Sequence, residues 1–160
     1  MKINISILGS TGSIGLSVLN IIDKKKKDFK IDILSANKNY KLIIKQIKKY
    51  KPKFFIISDF NTFTKVKKKL RYKTKILNSF NNLKLNGKKG TTVSAIPGIV
   101  GLNPTLQMIK KSKRLLIANK ESIICGWSLI KKEAKAFNTK IIPVDSEHFS
   151  IFKLIENKSL

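Results

Sequence analysis

The chain has 160 residues, of which 42% are hydrophobic, so it is long enough to bury one core and short for two. It carries 34 basic residues against nine acidic ones, a net charge of +25, and all but two of the basic residues are lysine. Sequence-specific base recognition and bidentate phosphate binding favour arginine, so this composition argues against a specific nucleic-acid protein. From the charge alone we expect only nonspecific attraction to polyanions.

No segment of the chain has the pattern of a membrane helix or of a secretion signal. The apolar runs fall short of the roughly 18 residues that a membrane span needs. The single cysteine, Cys125, cannot form an internal disulfide, which fits a reducing compartment. We therefore expect a cytoplasmic protein that does not act on membranes.

Strands and helices are predicted in regular alternation. Alternating or continuous apolar runs predict strands over residues 2–8, 29–36, 54–58, 74–77, 91–96, 114–118 and 140–144. Helical spacing predicts helices from residue 14 up to the lysine run at 24–27, then over 40–50, 62–70, 103–111 and 127–137. Asn103 is the expected N-cap of the fourth helix, with Pro104 in its first turn. The Asn-rich residues 78–90 are expected to form a loop. The alternation predicts an α/β, Rossmann-like fold with a mostly parallel sheet and helices on both faces.

The sequence GSTGSIG lies between the first predicted strand and the first predicted helix. Its glycines, Gly9, Gly12 and Gly15, suit a tight turn, a close approach of backbone to a diphosphate, and close packing of helix on strand. The amides of residues 11–14 would then face the diphosphate at a helix N-terminus. An ordinary glycine-rich turn is the alternative interpretation.

The end of the second predicted strand bears on the choice of dinucleotide. A site for NAD usually has an Asp or Glu here that binds the ribose hydroxyls. This chain instead reads Ser35, Ala36, Asn37, Lys38, Asn39, with no carboxylate and with a lysine that can pair with a 2′-phosphate. The segment therefore favours NADPH, unless Lys38 is simply one more surface lysine.

Two further strands end in clusters of polar residues. Residues 119–122 (Asn-Lys-Glu-Ser) follow one apolar strand, and residues 145–147 (Asp-Ser-Glu) follow the last strand. Ligands of open parallel sheets bind outside the carboxyl ends of strands, so both clusters are candidate sites. The paired carboxylates, without cysteines, suit a hard cation such as Mg²⁺ or Mn²⁺. A helix N-cap at Asp145 or Ser146 is the alternative for the second cluster.

The motifs ILGSTGSIG, ANKES and PVDSEH, in this order and spacing, closely resemble the N-terminal portion of the 1-deoxy-D-xylulose 5-phosphate reductoisomerase family. The resemblance covers essentially the whole chain. It implies an NADPH- and divalent-metal-dependent oxidoreductase and isomerase. Such an enzyme converts 1-deoxy-D-xylulose 5-phosphate to 2-C-methyl-D-erythritol 4-phosphate in the non-mevalonate route to isoprenoid precursors.

The resemblance also assigns roles to individual residues. Residues 1–144 would form the NADPH-binding domain, and residues 145–160 would begin the metal- and substrate-binding region. A homodimer is implied for full-length relatives. Lys120 and Glu147 are the implied catalytic residues, Asp145 and Glu147 the implied Mg²⁺ or Mn²⁺ ligands, and Lys120, Ser146 and Glu147 the implied contacts of the sugar phosphate substrate. The implied NADPH contacts are Thr11, Gly12, Ser13, Ile14, Asn37, Lys38, Asn39, Asn119 and Glu121.

The chain departs from the family pattern in three ways. Asn37 stands where the family commonly has glycine, and Phe149 follows His148 where a small or polar residue is usual. Family members are also considerably longer, so we expect this polypeptide alone to bind NADPH without turning over substrate. Two alternatives are another NADPH-dependent dehydrogenase domain with Cys125 as nucleophile, and a noncatalytic remnant that binds cofactor or polyanions.

Overall fold

The computed structural model describes residues 2–69, 73–85, 87 and 90–144. These residues form one seven-stranded sheet, all of whose neighbouring strands run parallel, with five α-helices packed around it. No helix in these ranges is long and apolar enough to span a bilayer. The strands are β1 (Ile3–Leu8), β2 (Phe29–Ala36), β3 (Phe54–Ile57), β4 (Lys75–Leu77), β5 (Thr91–Ser94), β6 (Arg114–Ile117) and β7 (Lys140–Pro143). The helices are α1 (Ser13–Lys24), α2 (Tyr40–Tyr50), α3 (Phe60–Lys69), α4 (Leu102–Ile109) and α5 (Lys120–Ala136).

The order of strands across the sheet is β4-β3-β2-β1-β5-β6-β7. Strands β1 to β4 follow one another from the centre of the sheet to one edge. The chain then returns so that β5 pairs with β1 on its other side, and the remaining strands extend towards the opposite edge. The direction of winding therefore reverses between β1 and β5, which is where doubly wound sheets open a crevice for ligands.

Buried side chains form two clusters, one on each face of the sheet. Adjacent residues of β1 show the division, since Ile7 belongs to one cluster and Leu8 to the other. The first cluster includes residues of α1, α2 and α3, and the second includes residues of α4 and α5. Helices therefore cover both faces, and the predicted Rossmann-like α/β fold is confirmed.

The start of α5 corrects the sequence prediction. The helix begins at Lys120 rather than near Trp127, because the side chain of Asn119 accepts a hydrogen bond from the amide of Ser122 and caps it. The buried positions of its first half are the small residues Ser122 and Gly126, which carry no apolar periodicity. A Cβ on Gly126 would lie 2.4 Å from the end of the Leu102 side chain, so a larger residue here would require Leu102 to move.

Two smaller features also differ from the prediction. Helix α4 begins at Leu102 with Gly101 in the cap position and no side-chain cap, so Asn103 is not the N-cap; Pro104 does lie in the first turn. A 3₁₀ turn over Ile99–Gly101 leads into α4 and explains the earlier start. A second 3₁₀ turn, Phe80–Asn82, lies within the segment expected to be a loop. The other predicted boundaries lie within two residues of those observed.

A polar cluster joins α1 to α2. Lys49 Nζ lies 2.5 Å from Asp23 Oδ2, and the Tyr50 hydroxyl donates to the same oxygen at 2.9 Å. Burial opposes ionisation of Asp23, but the bonds from Lys49 and Tyr50 outweigh it and hold the pKa of the carboxyl below its ordinary value of 3.8. The ionised carboxylate therefore stabilises the fold.

This lowered pKa predicts how stability responds to acid. A carboxyl whose folded pKa lies below 3.8 contributes fully above that pH and loses its contribution as the pH falls through the folded pKa. We expect Asp23→Asn to be less stable than the wild type at pH 6, and the difference to shrink towards pH 3. Urea unfolding at both pH values measures this. Asp28→Asn is the control, since it removes an equal charge from the turn between α1 and β2; a difference for Asp23→Asn that stays constant would contradict the prediction.

Candidate functional site

A cleft of about 590 Å³ opens at the carboxyl ends of β1, β2, β3 and β5, at the reversal of winding. Its volume falls in the range of small-molecule sites, about 300–1,000 Å³. The residues that line it come from the carboxyl ends of β1 to β5 and from the segments that follow these strands. They are Gly9, Thr11, Gly12, Ser35, Ala36, Asn37, Ile56, Ser58, Asn78, Ser79, Phe80, Asn81, Ile96, Pro97, Val100, Asn103 and Pro104.

The glycine turn between β1 and α1 forms one wall of the cleft. Gly9 has a φ of +80°, and a Cβ there would lie 2.6 Å from the carbonyl oxygen of Ala95, the residue after β5. A Cβ on Gly15 would lie 2.3 Å from the carbonyl oxygen of Gly9 and 2.7 Å from Ser10 Cα. These two glycines therefore allow the tight turn and the close packing of α1 against it, as the motif predicts.

Gly12 has a different part in the same turn. It is the N-cap of α1 in an extended conformation and provides no side-chain cap, and a Cβ there would meet only the carbonyl oxygen of Gly9 at an ordinary 3.5 Å. Thr11 and Gly12 line the cleft, and Ser13 and Ile14 are exposed in the first turn of the helix. The first amides of α1 thus lie beside the cleft, where they can donate to an anion.

The end of β2 forms the neighbouring wall. Asn37 lines the cleft, and its side-chain oxygen accepts a hydrogen bond from the Ser58 hydroxyl at 3.3 Å. Among the described non-glycine residues only Lys51 and Asn138 have positive φ, so the backbone at position 37 does not require glycine. Asn39 caps α2 through its side-chain oxygen, which accepts from the amide of Leu42 at 3.2 Å.

One carboxylate, Asp59, lies close to this wall in the turn after β3. Its side chain accepts a 2.8 Å hydrogen bond from the amide of Thr62, and this bond is the main cause that lowers the pKa of the carboxyl. The positive charge of Lys38 lowers it further. Lys38 follows the end of β2 and is exposed, so its side chain is accessible to a ligand.

Asn119 contributes to the cleft indirectly. Its side-chain amide donates to the carbonyl oxygen of Ile96, and to that of Gly98 at 2.9 Å. Asn119 is 3% exposed and bonds to the loop after β5, and Ile96, Pro97 and Val100 of that loop line the cleft. Asn119 therefore holds this wall in place and caps α5 with the same side chain.

The other predicted site residues fall into two groups. Lys120 and Glu121 lie in the first turn of α5, Lys120 exposed and Glu121 half-buried, and neither lines the cleft. Asp145, Ser146 and Glu147 lie outside the described residues, as do His148 and Phe149. Within the described ranges no three His, Cys, Asp or Glu side chains come together as a metal site.

The position of Cys125 bears on the alternative dehydrogenase chemistry. The thiol-bearing residue is exposed on α5 and does not line the cleft. It lies instead along the outer face of that helix with Ile124 and Trp127. This placement offers no support for a cysteine nucleophile acting on a ligand in the cleft.

Sequence reasoning missed several cleft residues. Ser58 follows β3, Asn78 follows β4, and Val100 and Asn103 lie beyond β5. Ligands of parallel sheets bind beyond the carboxyl ends of strands, a signal that covers Ser58 and Asn78 but not Val100 and Asn103, which lie in the 3₁₀ turn and the helix beyond β5. The side-chain amide of Asn78 also donates to the carbonyl oxygen of Ile57 at 2.8 Å and connects the edge of the cleft to β3.

Known proteins resemble this chain over most of its length. The family model for 1-deoxy-D-xylulose 5-phosphate reductoisomerase matches residues 5–126, which include the glycine turn, the end of β2 and the start of α5. The chain belongs to this family. A reductoisomerase of Pelagibacter ubique (strain HTCC1062) is 51% identical over 158 residues, covering 96% of this chain and 41% of the relative.

Solved reductoisomerase structures share the fold. The enzyme from Zymomonas mobilis in complex with NADPH superposes with a TM-score of 0.82 at 29% identity, covering 92% of this chain and 40% of that one. A reductoisomerase in complex with NADPH, fosmidomycin and magnesium superposes with a TM-score of 0.81 at 30% identity, covering 92% and 37%. The chain thus spans about 40% of the reductoisomerases that it matches.

Proposed function

We propose that this chain forms the NADPH-binding part of a 1-deoxy-D-xylulose 5-phosphate reductoisomerase. The observation that carries the proposal is the cleft itself. It places the glycine turn of β1 and the carboxylate-free end of β2 side by side at the reversal of winding in the sheet. Membership of the family and the NADPH named with related structures support the choice of ligand.

The residues present fit a dinucleotide. The uncapped start of α1 offers amides to the diphosphate, and Gly12 leaves room for the diphosphate to approach the backbone. Lys38, which is exposed and follows the cleft-lining Asn37 in the chain, is proposed to pair with a 2′-phosphate. The bound NADPH would supply hydride. The chain's own contribution is to bind the dinucleotide and fix its orientation.

The proposal extends to Lys120, at the start of α5, and to residues beyond the described ranges. Asp145 and Glu147 are proposed as ligands of Mg²⁺ or Mn²⁺, which would polarise the carbonyl of the sugar phosphate. Lys120, Ser146 and Glu147 are proposed substrate contacts, with Lys120 and Glu147 catalytic. Magnesium in structures of related reductoisomerases supports the metal. The division at residue 144, a homodimer, cytoplasmic location and absence of specific nucleic-acid binding stay predictions.

Direct titration tests the proposal. We expect the purified chain to bind NADPH, with a Kd at least about tenfold lower than for NADH, because a charged hydrogen bond to the 2′-phosphate is worth about 1.5–3 kcal/mol. We expect no NADPH oxidation when 1-deoxy-D-xylulose 5-phosphate and Mg²⁺ are added to this polypeptide alone. Absence of NADPH binding, or preference for NADH, would refute the cofactor assignment, and turnover would refute the expected inactivity.

A salt titration separates the proposal from nonspecific polyanion binding. Binding of a nucleic acid to lysines should weaken steeply as salt rises, because it depends on counterion release. We expect NADPH affinity to change much less between 50 and 200 mM salt than the affinity for a DNA duplex.

A further inference from the structure

The core contains a polar side chain on α2 whose neighbours along the helix are apolar. Gln46 is on the buried side of α2 between Ile43 and Ile47, and it is 3% exposed. A side-chain amide in such a place is destabilising unless both its oxygen and its nitrogen find partners. An apolar residue of similar length would fill the space without that requirement. The partners of Gln46 therefore explain its presence.

Both polar atoms of Gln46 bind the same residue of the glycine turn. Its Nε2 donates to the carbonyl oxygen of Ser10 at 2.8 Å, and its Oε1 accepts from the Ser10 hydroxyl at 2.7 Å. Ser10 is fully buried, so these bonds form away from water. The amide group thus fixes the carbonyl and the side chain of Ser10 together, from a helix 36 residues further along the chain.

Strand β2 fixes the same turn from another direction. The amide of Ser10 donates to the carbonyl oxygen of Ser35 at 2.7 Å, and the amide of Gly9 donates to the Ser35 hydroxyl at 3.1 Å. The Ser10 hydroxyl also lies 3.1 Å from the carbonyl oxygen of Ser35. The next two residues, Thr11 and Gly12, line the cleft. The position of the cleft-facing backbone is therefore set by bonds made at Ser10.

We propose that Gln46 is a positioning residue for dinucleotide binding, which holds the glycine turn where its amides meet the diphosphate. This rests on the proposed NADPH site. Gln46 does not line the cleft, and it acts through Ser10. Without its amide, the Ser10 carbonyl loses a donor, and the turn is held by its bonds to β2 and by the bond from the Gly12 amide to the Gly9 carbonyl oxygen. The diphosphate subsite would then be less well preorganised, whereas the adenosine end of the site would be unaffected.

The experiment compares two ligands on folded Gln46→Met, whose side chain is of similar length and lacks the amide. We expect the Kd for NADPH to rise about tenfold, which corresponds to about 1.4 kcal/mol. We expect the Kd for adenosine 2′-monophosphate, which has no diphosphate, to change less than twofold. A general loss of folded protein would weaken the binding of both ligands to the same extent. Unchanged NADPH affinity, or an equal loss for both ligands, would overturn the proposal.

Thr139→Val is the matched control. The Thr139 hydroxyl is buried and lies within 2.8 Å of the Ile109 carbonyl oxygen and 3.0 Å of that of Ser112, next to the start of β7 and away from the cleft. This variant should lower the melting temperature without changing either Kd. If Gln46→Met does not fold, Ser10→Ala removes the hydroxyl bond and should give the same pattern. Wild-type protein that binds no NADPH would refute the proposed function itself, a result distinct from a failure confined to the variants.

Discussion

Gly15→Ala should destabilise the protein by about 3 kcal/mol or more, because overpacking against backbone that cannot move costs up to and beyond that amount. The new Cβ would lie 2.3 Å from the Gly9 carbonyl oxygen and 2.7 Å from Ser10 Cα. The turn cannot move away, since Gly9 packs on Ala95 and Ser10 is bonded to Gln46. For a chain of this length the melting temperature should fall by about 6–12 °C. Thermal unfolding followed by circular dichroism measures the change.

Gly12→Ala, in the same turn, should weaken NADPH binding while changing stability little. Its Cβ would make one ordinary contact of 3.5 Å, so stability should change by no more than about 1 kcal/mol. The methyl group would however occupy the place where the diphosphate meets the start of α1. We expect NADPH affinity to fall at least about tenfold, or 1.4 kcal/mol. Wild-type affinity in a stable Gly12→Ala protein would show that the diphosphate lies elsewhere.

Asn37→Asp should largely abolish the preference for NADPH. It places a carboxylate in the cleft wall at the end of β2, where the charge repels a 2′-phosphate and accepts hydrogen bonds from the ribose hydroxyls of NADH. Charged hydrogen bonds contribute about 1.5–3 kcal/mol, so the ratio of NADPH to NADH affinity should fall by about 10- to 100-fold. Titration of both dinucleotides on the variant measures the ratio.

Lys38, the residue after Asn37, can be compared with another exposed lysine, Lys41, because removing either one changes the net charge equally. Lys38→Ala should lower the ratio of NADPH to NADH affinity about tenfold, since one charge-assisted bond to the 2′-phosphate is lost. Lys41→Ala removes an equal charge from an exposed position on α2 outside the cleft and should leave the ratio unchanged. If the two lysine variants behave alike, Lys38 is one surface lysine among many, and the NADPH preference has another source.

Elements with strong local signals were predictable from sequence. Strand β2 and helix α2 have the bounds predicted for them, because a continuous apolar run and a regular helical spacing are local properties. The start of α5 was not predictable from spacing, since its buried positions Ser122 and Gly126 are not apolar. The cap at Asn119 that starts the helix also binds the loop after β5, a contact between distant parts of the chain.

The candidate site was likewise predictable from the sequence only in part. The glycine spacing and the missing carboxylate after Ala36 indicated a dinucleotide site and its preference from sequence, because both are properties of single segments. The tertiary structure brought Ser58, Asn78 and Asn103 into the cleft, since strands far apart in sequence end at the same edge of the sheet.

The sequence by itself determined the order of elements, the fold class and the family, because hydrophobic spacing and glycine requirements are carried by neighbouring residues. Only the tertiary structure decided how the glycine turn is held. In the sequence Gln46 is an ordinary helix residue; in the fold α2 packs beside the turn after β1, and the Gln46 amide group bonds to Ser10 there. Such a bond depends on where two distant segments meet in space, and the pattern of either segment alone does not reveal it.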